Sequence, residues 1–132
     1  MVRPIVHDVM FLMRASVQAD RTDLSVAQDL IDTLKYHIGE CVGLAANMIG
    51  VNKNIIVFLA GDIPVVMLNP KIVAHSAESY ETEEGCLSLS GTRRTKRYMR
   101  IEVEYEDMQM KRRKNTYNGF TAQIIQHEID HC

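Results

Sequence analysis

His127 and His131, with Glu128 beside the first, are the residues whose types and spacing most directly suggest chemistry. On an α-helix, positions i and i+4 stack on one face, so both imidazoles can reach one ion. Glu128 stands one position round from His127, where a carboxylate can address a water on that ion. A catalytic metal site needs three protein ligands and an open position, yet only Cys132 follows His131. The third ligand is therefore expected upstream, as a soft thiolate or another imidazole. His7 and His75 stand in ordinary terminal or strand contexts. Cys86 follows Glu83-Glu84-Gly85, and Gly85 permits a close backbone approach. Cys86, His127 and His131 are thus the expected set.

These side chains need a scaffold. Leu24, Ala27, Leu30, Ile31, Leu34 and Ile38 recur at helical spacing, which predicts an amphipathic helix over 23–38, capped by Thr22 or Asp23. A shorter helix is expected over 9–16. The stretch CVGLAANMIG reads as a tight packed loop. Positions 54–60 and 65–68 read as strands joined at Gly61-Asp62, with Asn69-Pro70 as an interruption and the sheet resuming over 71–80. Met99, Ile101, Val103 and Tyr105 alternate with charged residues, which predicts a half-buried strand over 98–106. Its partner is expected over 111–117, although DMQM is weak turn chemistry. Asn118-Gly119 ends that strand, and a last helix runs from Phe120. Phe120, Ile124 and His127 share a side, which turns His127 inward. A helix, several strands in series and a final helix predict an α+β fold.

With 132 residues, 46% hydrophobic and 24% charged, the chain is expected to form one globular domain over 1–132. A net charge of −2 selects no partner. No apolar run is long enough for a membrane helix, and the N-terminus lacks a signal-peptide layout, so a cytoplasmic location is expected. Three scattered cysteines are a poor disulfide framework and fit a reducing compartment.

GLAANMIG, EGCLS and QHEIDH occur in that order and resemble the three signature motifs of the peptide deformylases, GxGLAAxQ, EGCLS and HExDH. The resemblance spans roughly residues 5 to 131. It implies antiparallel β-sheets packed around a C-terminal HExxH helix, with an N-terminal helix. It implies a hydrolase of protein biosynthesis that removes the formyl group from the formyl-methionine of nascent bacterial polypeptides. Cys86, His127 and His131 would hold one divalent metal, natively Fe2+, with Zn2+ or Ni2+ as substitutes. Glu128 would be the catalytic acid/base, and the Leu87 backbone N–H would help hold the oxyanion. Gly43, Leu44, Gly85, Arg93 and Ile124 would lie along the substrate's path. An ion of this kind acidifies a water, and Glu128 would relay a proton to the departing amine.

The first motif departs from the pattern. Cys41 replaces its first glycine, where it either narrows the cleft or fills space. Met48 replaces the glutamine whose amide donates to the developing oxyanion, and a thioether donates nothing. Loss of one such donor typically costs about 100- to 1,000-fold in kcat. Asn47 carries an amide one position away. The expectation is a deformylase of reduced activity. The alternative is a deformylase-like paralogue that keeps the metal site but binds peptides or cleaves another amide. Nine of the 15 Lys and Arg residues lie between positions 93 and 114. They are candidates for a transient ribosome contact, although interleaved acidic residues favour a solvated hairpin. No DNA or membrane partner is expected, and the oligomeric state is open.

Overall fold

The computed structural model describes residues 1–88 and 91–132. Its centre is a five-stranded antiparallel sheet in the order β1-β2-β3-β6-β7, beside a separate hairpin, β4–β5. The strands are β1 (Gly43–Ala45), β2 (Ile55–Ala60), β3 (Ile63–His75), β4 (Ser79–Gly85), β5 (Thr92–Tyr98), β6 (Arg100–Glu106) and β7 (Arg112–Asn118). The helices are α1 (Val9–Leu12), α2 (Leu24–Tyr36) and α3 (Gly119–His131). Antiparallel sheets with an N-terminal and a C-terminal helix match the expected α+β class.

The predicted helix over 23–38 is α2, and its apolar stripe buries Ala27, Leu30 and Leu34 completely. Asp23 is its N-cap residue, as expected, but the side chain makes no cap bond to α2. Asp20 closes a preceding 3-10 turn by accepting from Thr22 N–H at 2.8 Å, while Asp23 reaches back to the Asp20 N–H at 2.9 Å. The reciprocal pair satisfies donors that a helix start would otherwise leave open. The predicted helix at 9–16 shrinks to the single turn of α1.

CVGLAANMIG is not a loop throughout. Its centre is β1, antiparallel to β2 with Leu44 opposite Val57, and a 3-10 turn follows over Ala46–Ile49. Asn69-Pro70 does not interrupt β3 either. Asn69 takes a left-handed φ of 53° within a register shift, a conformation asparagine tolerates. Its amide Nδ2 donates to Ala19 O and Glu106 Oε1, and its Oδ1 accepts from Ala19 N–H. The bulge lets one strand bend past the proline, which cannot donate to a ladder.

The β6–β7 hairpin forms as expected, with Ile101 opposite Tyr117. Ile101, Val103 and Tyr105 are buried, but Met99 falls between β5 and β6 and is exposed. Asp107 supplies the turn chemistry that DMQM lacks. Its carboxylate accepts from the backbone of Gln109 and Lys111 and from Arg113 Nε, all near 3 Å.

α3 lies between the two sheets, against β1, β2 and β7 on one side and β5 on the other. Ala122 and Ile125 are fully buried in the core. Its other face makes polar contacts one turn apart. Tyr80 Oη donates to Gln123 Oε1 at 2.9 Å, Gln126 pairs with the Tyr98 backbone, and Arg97 binds Asp130 at 2.6 Å. The small hairpin is thus fastened to the helix that carries the HExxH motif.

Candidate metal centre

Three ligand atoms, the Cys86 thiol and one nitrogen each from His127 and His131, lie within 4.8 Å of one another. α3 supplies the two imidazoles, whose ring centroids are 5.0 Å apart. Cys86 follows directly on β4, so the contact of β4–β5 with α3 is what brings the thiol to the histidines. Ser88 N–H donates to Cys86 Sγ at 3.3 Å.

Each histidine is prepared for binding in its own way. His127 Nδ1 donates to Glu84 Oε1 at 2.8 Å, which leaves Nε2 to bind an ion. Burial, with the neighbouring His127 adding to it, lowers His131 to about 4. Its ring is therefore neutral near pH 7, the form that ligates.

Glu84 was not anticipated from the sequence. Burial pushes its carboxyl up, but hydrogen bonds from Arg97 and His127 outweigh that and hold it below the usual range. Arg97 binds it through two nitrogens, at 2.6 and 2.9 Å, with both side chains 8% exposed. Such two-point pairing fixes orientation as well as charge. The chain Arg97–Glu84–His127 links strands 13 residues apart in sequence to α3. Only the placement of Glu84 two residues before Cys86 hinted at it.

Glu128 is 4% exposed, and its Oε1 is a buried atom with no hydrogen-bond partner. Burial, reinforced by the charge of Glu84, pushes its carboxyl up to about 8. Near neutral pH it can therefore both hold and release a proton, as a general acid/base must. Gly43 makes room for it. A Cβ at Gly43 would come within 2.9 Å of Glu128 Oε2, 3.1 Å of Glu128 Cγ and 3.1 Å of Ile124 Cγ2. A cysteine sulfur, two imidazoles and a buried carboxyl with an unpaired oxygen fit a catalytic divalent metal, with the carboxyl beside it rather than bound to it.

Two cavities meet at this group and share Glu84, Gly85, Cys86, Gly91 and His127. One, of about 840 Å³, has Met48, Leu59, Phe120, Ile124 and Glu128 in its walls. The other, of about 690 Å³, is bordered by Arg14, Arg93, Arg94 and His131.

The expected substrate-side residues divide accordingly. Gly43, Leu87 and Ile124 line the larger cavity, and Gly85 borders both. Arg93 faces only the smaller one. Leu44 does not line either cavity; its side chain is wholly in the core. Gly85 is not forced to be glycine by close approach, because a Cβ there would meet only ordinary contacts at 3.6 and 3.9 Å. Phe120, expected to face inward, is 64% exposed at the cavity rim.

Met48 is 1% exposed, lines the larger cavity and accepts the Ala45 N–H through its sulfur at 3.4 Å. Asn47 does not replace the missing amide. Its Nδ2 donates to the carbonyls of His131 and Leu12, on the far side of the turn. Cys41 lines the larger cavity, its thiol pushed up to about 11 by burial and by Glu128. His75 stacks on Tyr98 with centroids 3.7 Å apart and takes no part in the metal group.

Residues 2–132 match the family model described as polypeptide deformylase. The chain belongs to the polypeptide deformylase family. It is similar to a peptide deformylase of Clostridium beijerinckii, 54% identical over 131 residues that cover 99% of this chain and 96% of the relative. The peptide deformylase from Thermotoga maritima superposes with a TM-score of 0.88 at 29% identity, covering 99% of this chain and 90% of that one. The class I type b peptide deformylase from Acinetobacter baumannii with Met-Ala-Ser bound superposes with a TM-score of 0.88 at 27% identity, covering 99% and 94%. The family's enzymes are metal-dependent and remove N-formyl groups, and this chain is a peptide deformylase. No helix among the described residues is long and apolar enough to cross a membrane.

Proposed function

We propose that residues 1–132 act as one domain that removes the formyl group from the N-terminal formyl-methionine of newly made polypeptides in the bacterial cytoplasm. The observation that carries this reading is the grouping of Cys86, His127 and His131 beside the buried carboxyl of Glu128. Ferrous iron is the proposed native ion, with zinc or nickel able to replace it. The ion supplies Lewis acidity, which makes a water a competent nucleophile near neutral pH and polarises the formyl carbonyl.

The remaining work falls to the chain. Glu128 takes the proton released from the attacking water at a carboxyl oxygen and returns it to the departing amine. Its burial keeps its affinity for that proton near the operating pH. The Leu87 N–H donates to the oxygen on which charge develops. Leu59, Ile124, Phe120 and Met48 offer the methionine side chain an apolar wall. Arg93 meets the peptide on the side of the smaller cavity.

Met48 puts nothing where a donor would assist the oxyanion, so a rate below that of an enzyme with the full set follows. The alternative, a paralogue that binds peptides or cleaves another amide, is not favoured by the family match. A ribosome contact through 111–114 is supported by exposed charge. It is opposed by the Lys114–Glu102 and Arg113–Asp107 pairs, which spend part of that charge internally. Anaerobic purification, metal analysis and a formate assay on formyl-Met-Ala-Ser test the reading. It predicts formate release that depends on one bound ion per chain. No formate from fully loaded protein would overturn it.

A further inference from the structure

The N-terminal segment crosses the site as a strut between its two motif loops. It is moored on α2, where Arg3 Nε binds Asp29 at 2.9 Å and Arg3 N–H donates to Thr33 Oγ1 at 2.9 Å. Next along, Val6 N–H donates to Met48 O at 2.8 Å, in the first motif. His7 Nδ1 then lies 3.0 Å from the carbonyl of Ser88, in the second. A carbonyl only accepts, so Nδ1 carries the proton and, in the neutral ring, Nε2 is the acceptor.

Ser88 is itself placed between two functions. Its N–H donates to Cys86 Sγ at 3.3 Å, and its neighbour Leu87 offers the proposed oxyanion donor. Ser88 is 2% exposed with His7 in place, and the His7 ring is the donor its carbonyl meets. A buried acceptor left without its donor costs about 1–3 kcal/mol. Rotation of the Ser88 backbone to recover a partner would move the N–H that rests on the thiolate. Hydrogen bonds of this kind tune both the charge on a ligand and its orientation.

We infer that His7 is a positioning residue for the loop around Cys86. Its Nδ1–H holds Ser88, and through Ser88 it sets the N–H on the Cys86 sulfur and the place of the Leu87 N–H. His7 is not one of the three ligand residues, and it borders the larger cavity. The kinetic part of this inference rests on the deformylase reading; the part concerning the thiolate does not.

The test uses isosteric variants in the full chain, loaded with Co2+ so that the sulfur-to-cobalt charge-transfer band reports on Cys86. His7→Phe keeps a ring and loses the donor. His7→Asn puts an amide N–H near the place of Nδ1, whereas His7→Gln carries it one bond too far. His7→Phe and His7→Gln are expected to lower kcat about 10- to 100-fold, the usual effect of removing a partner behind a metal ligand. KM should be unchanged, and the band should shift. His7→Asn should restore both kcat and the band. Wild-type kcat and an unshifted band in His7→Phe would overturn the proposal. If His7→Phe does not fold, the other two variants decide, and equal kcat and equal bands in Asn and Gln would overturn it. Absence of formate from the unmodified loaded protein would overturn the deformylase reading instead, and the band would still decide the role of His7.

Discussion

Replacing Gly43 by alanine probes the contact on which catalysis most depends. The added Cβ would meet Glu128 Oε2 at 2.9 Å, where ordinary contact begins near 3.4 Å, so the carboxyl must retreat about 0.5 Å. Ile124 Cγ2 lies at 3.1 Å on the same side and belongs to a β-branched helical residue whose rotamer is stiff. Glu128 therefore has to yield, by swinging its carboxyl or by lifting α3 off β1. Overpacking of this kind costs about 1–3 kcal/mol of stability. A misplacement of about 1 Å costs on the order of 100-fold in rate, so half that distance should lower kcat roughly tenfold or more. Because the nearest neighbours of the new methyl belong to Glu128 and Ile124 rather than to the three ligand residues, the metal should stay bound at one ion per chain. Formate release, metal analysis and a thermal melt on the same preparation measure all three. Wild-type kcat in Gly43→Ala would refute the reasoning, since it would mean that the position of Glu128 does not limit the reaction.

Other consequences follow from the same geometry. Met48→Gln should raise kcat/KM for formyl-Met-Ala-Ser at least about tenfold by restoring a donor; an unchanged value would mean that the oxyanion has another partner. Glu84→Gln should weaken metal affinity about 10- to 100-fold in a chelator competition, because His127 loses the carboxylate that orients it. The metal-free protein should lose stability as pH rises from 6.5 to 8. Glu128 has a folded value of about 8 against 4.5 unfolded, so the folded state alone keeps that proton as pH rises. His131, at about 4 folded against 6.5 unfolded, acts in the opposite direction, but its unfolded imidazole is already half deprotonated at 6.5, so it offsets only a small part. Over that window the net loss is about 1 kcal/mol. Denaturant melts should show it, and Glu128→Gln should remove it.

What could be read from the residues depended on how each element is held. α2 and α3 were legible because apolar residues at helical spacing must face a core. The two histidines and Glu128 came with α3, Cys86 followed from the need for a soft third ligand upstream, and the resemblance of three short motifs agreed with it. The β4–β5 hairpin was missed, since SYETEEG and TRRTKRY show no apolar alternation. Its inner face is held by Tyr80–Gln123, Glu84–His127 and Arg97–Asp130 rather than by hydrophobic burial. Pairings across strands are invisible to local pattern, so the role of Glu84 and Arg97 behind His127 went unread. Leu44 was hard to read for a related reason. β1 is buried on both faces, so its position in a motif does not say whether the side chain meets substrate or core. At Asn69 and Asp107 a single polar side chain replaced the expected turn or break with a bulge and a capped hairpin.

The central claim is that the ion held by Cys86, His127 and His131 and the buried carboxyl of Glu128 together perform deformylation. The most direct measurement is formate release by iron-loaded Glu128→Gln beside the unmodified protein, with bound metal measured in both. The unmodified protein should release formate. The variant should carry the same metal and lose turnover, because glutamine cannot move the proton. Turnover in the variant equal to that of the unmodified protein, at equal metal content, would contradict the account.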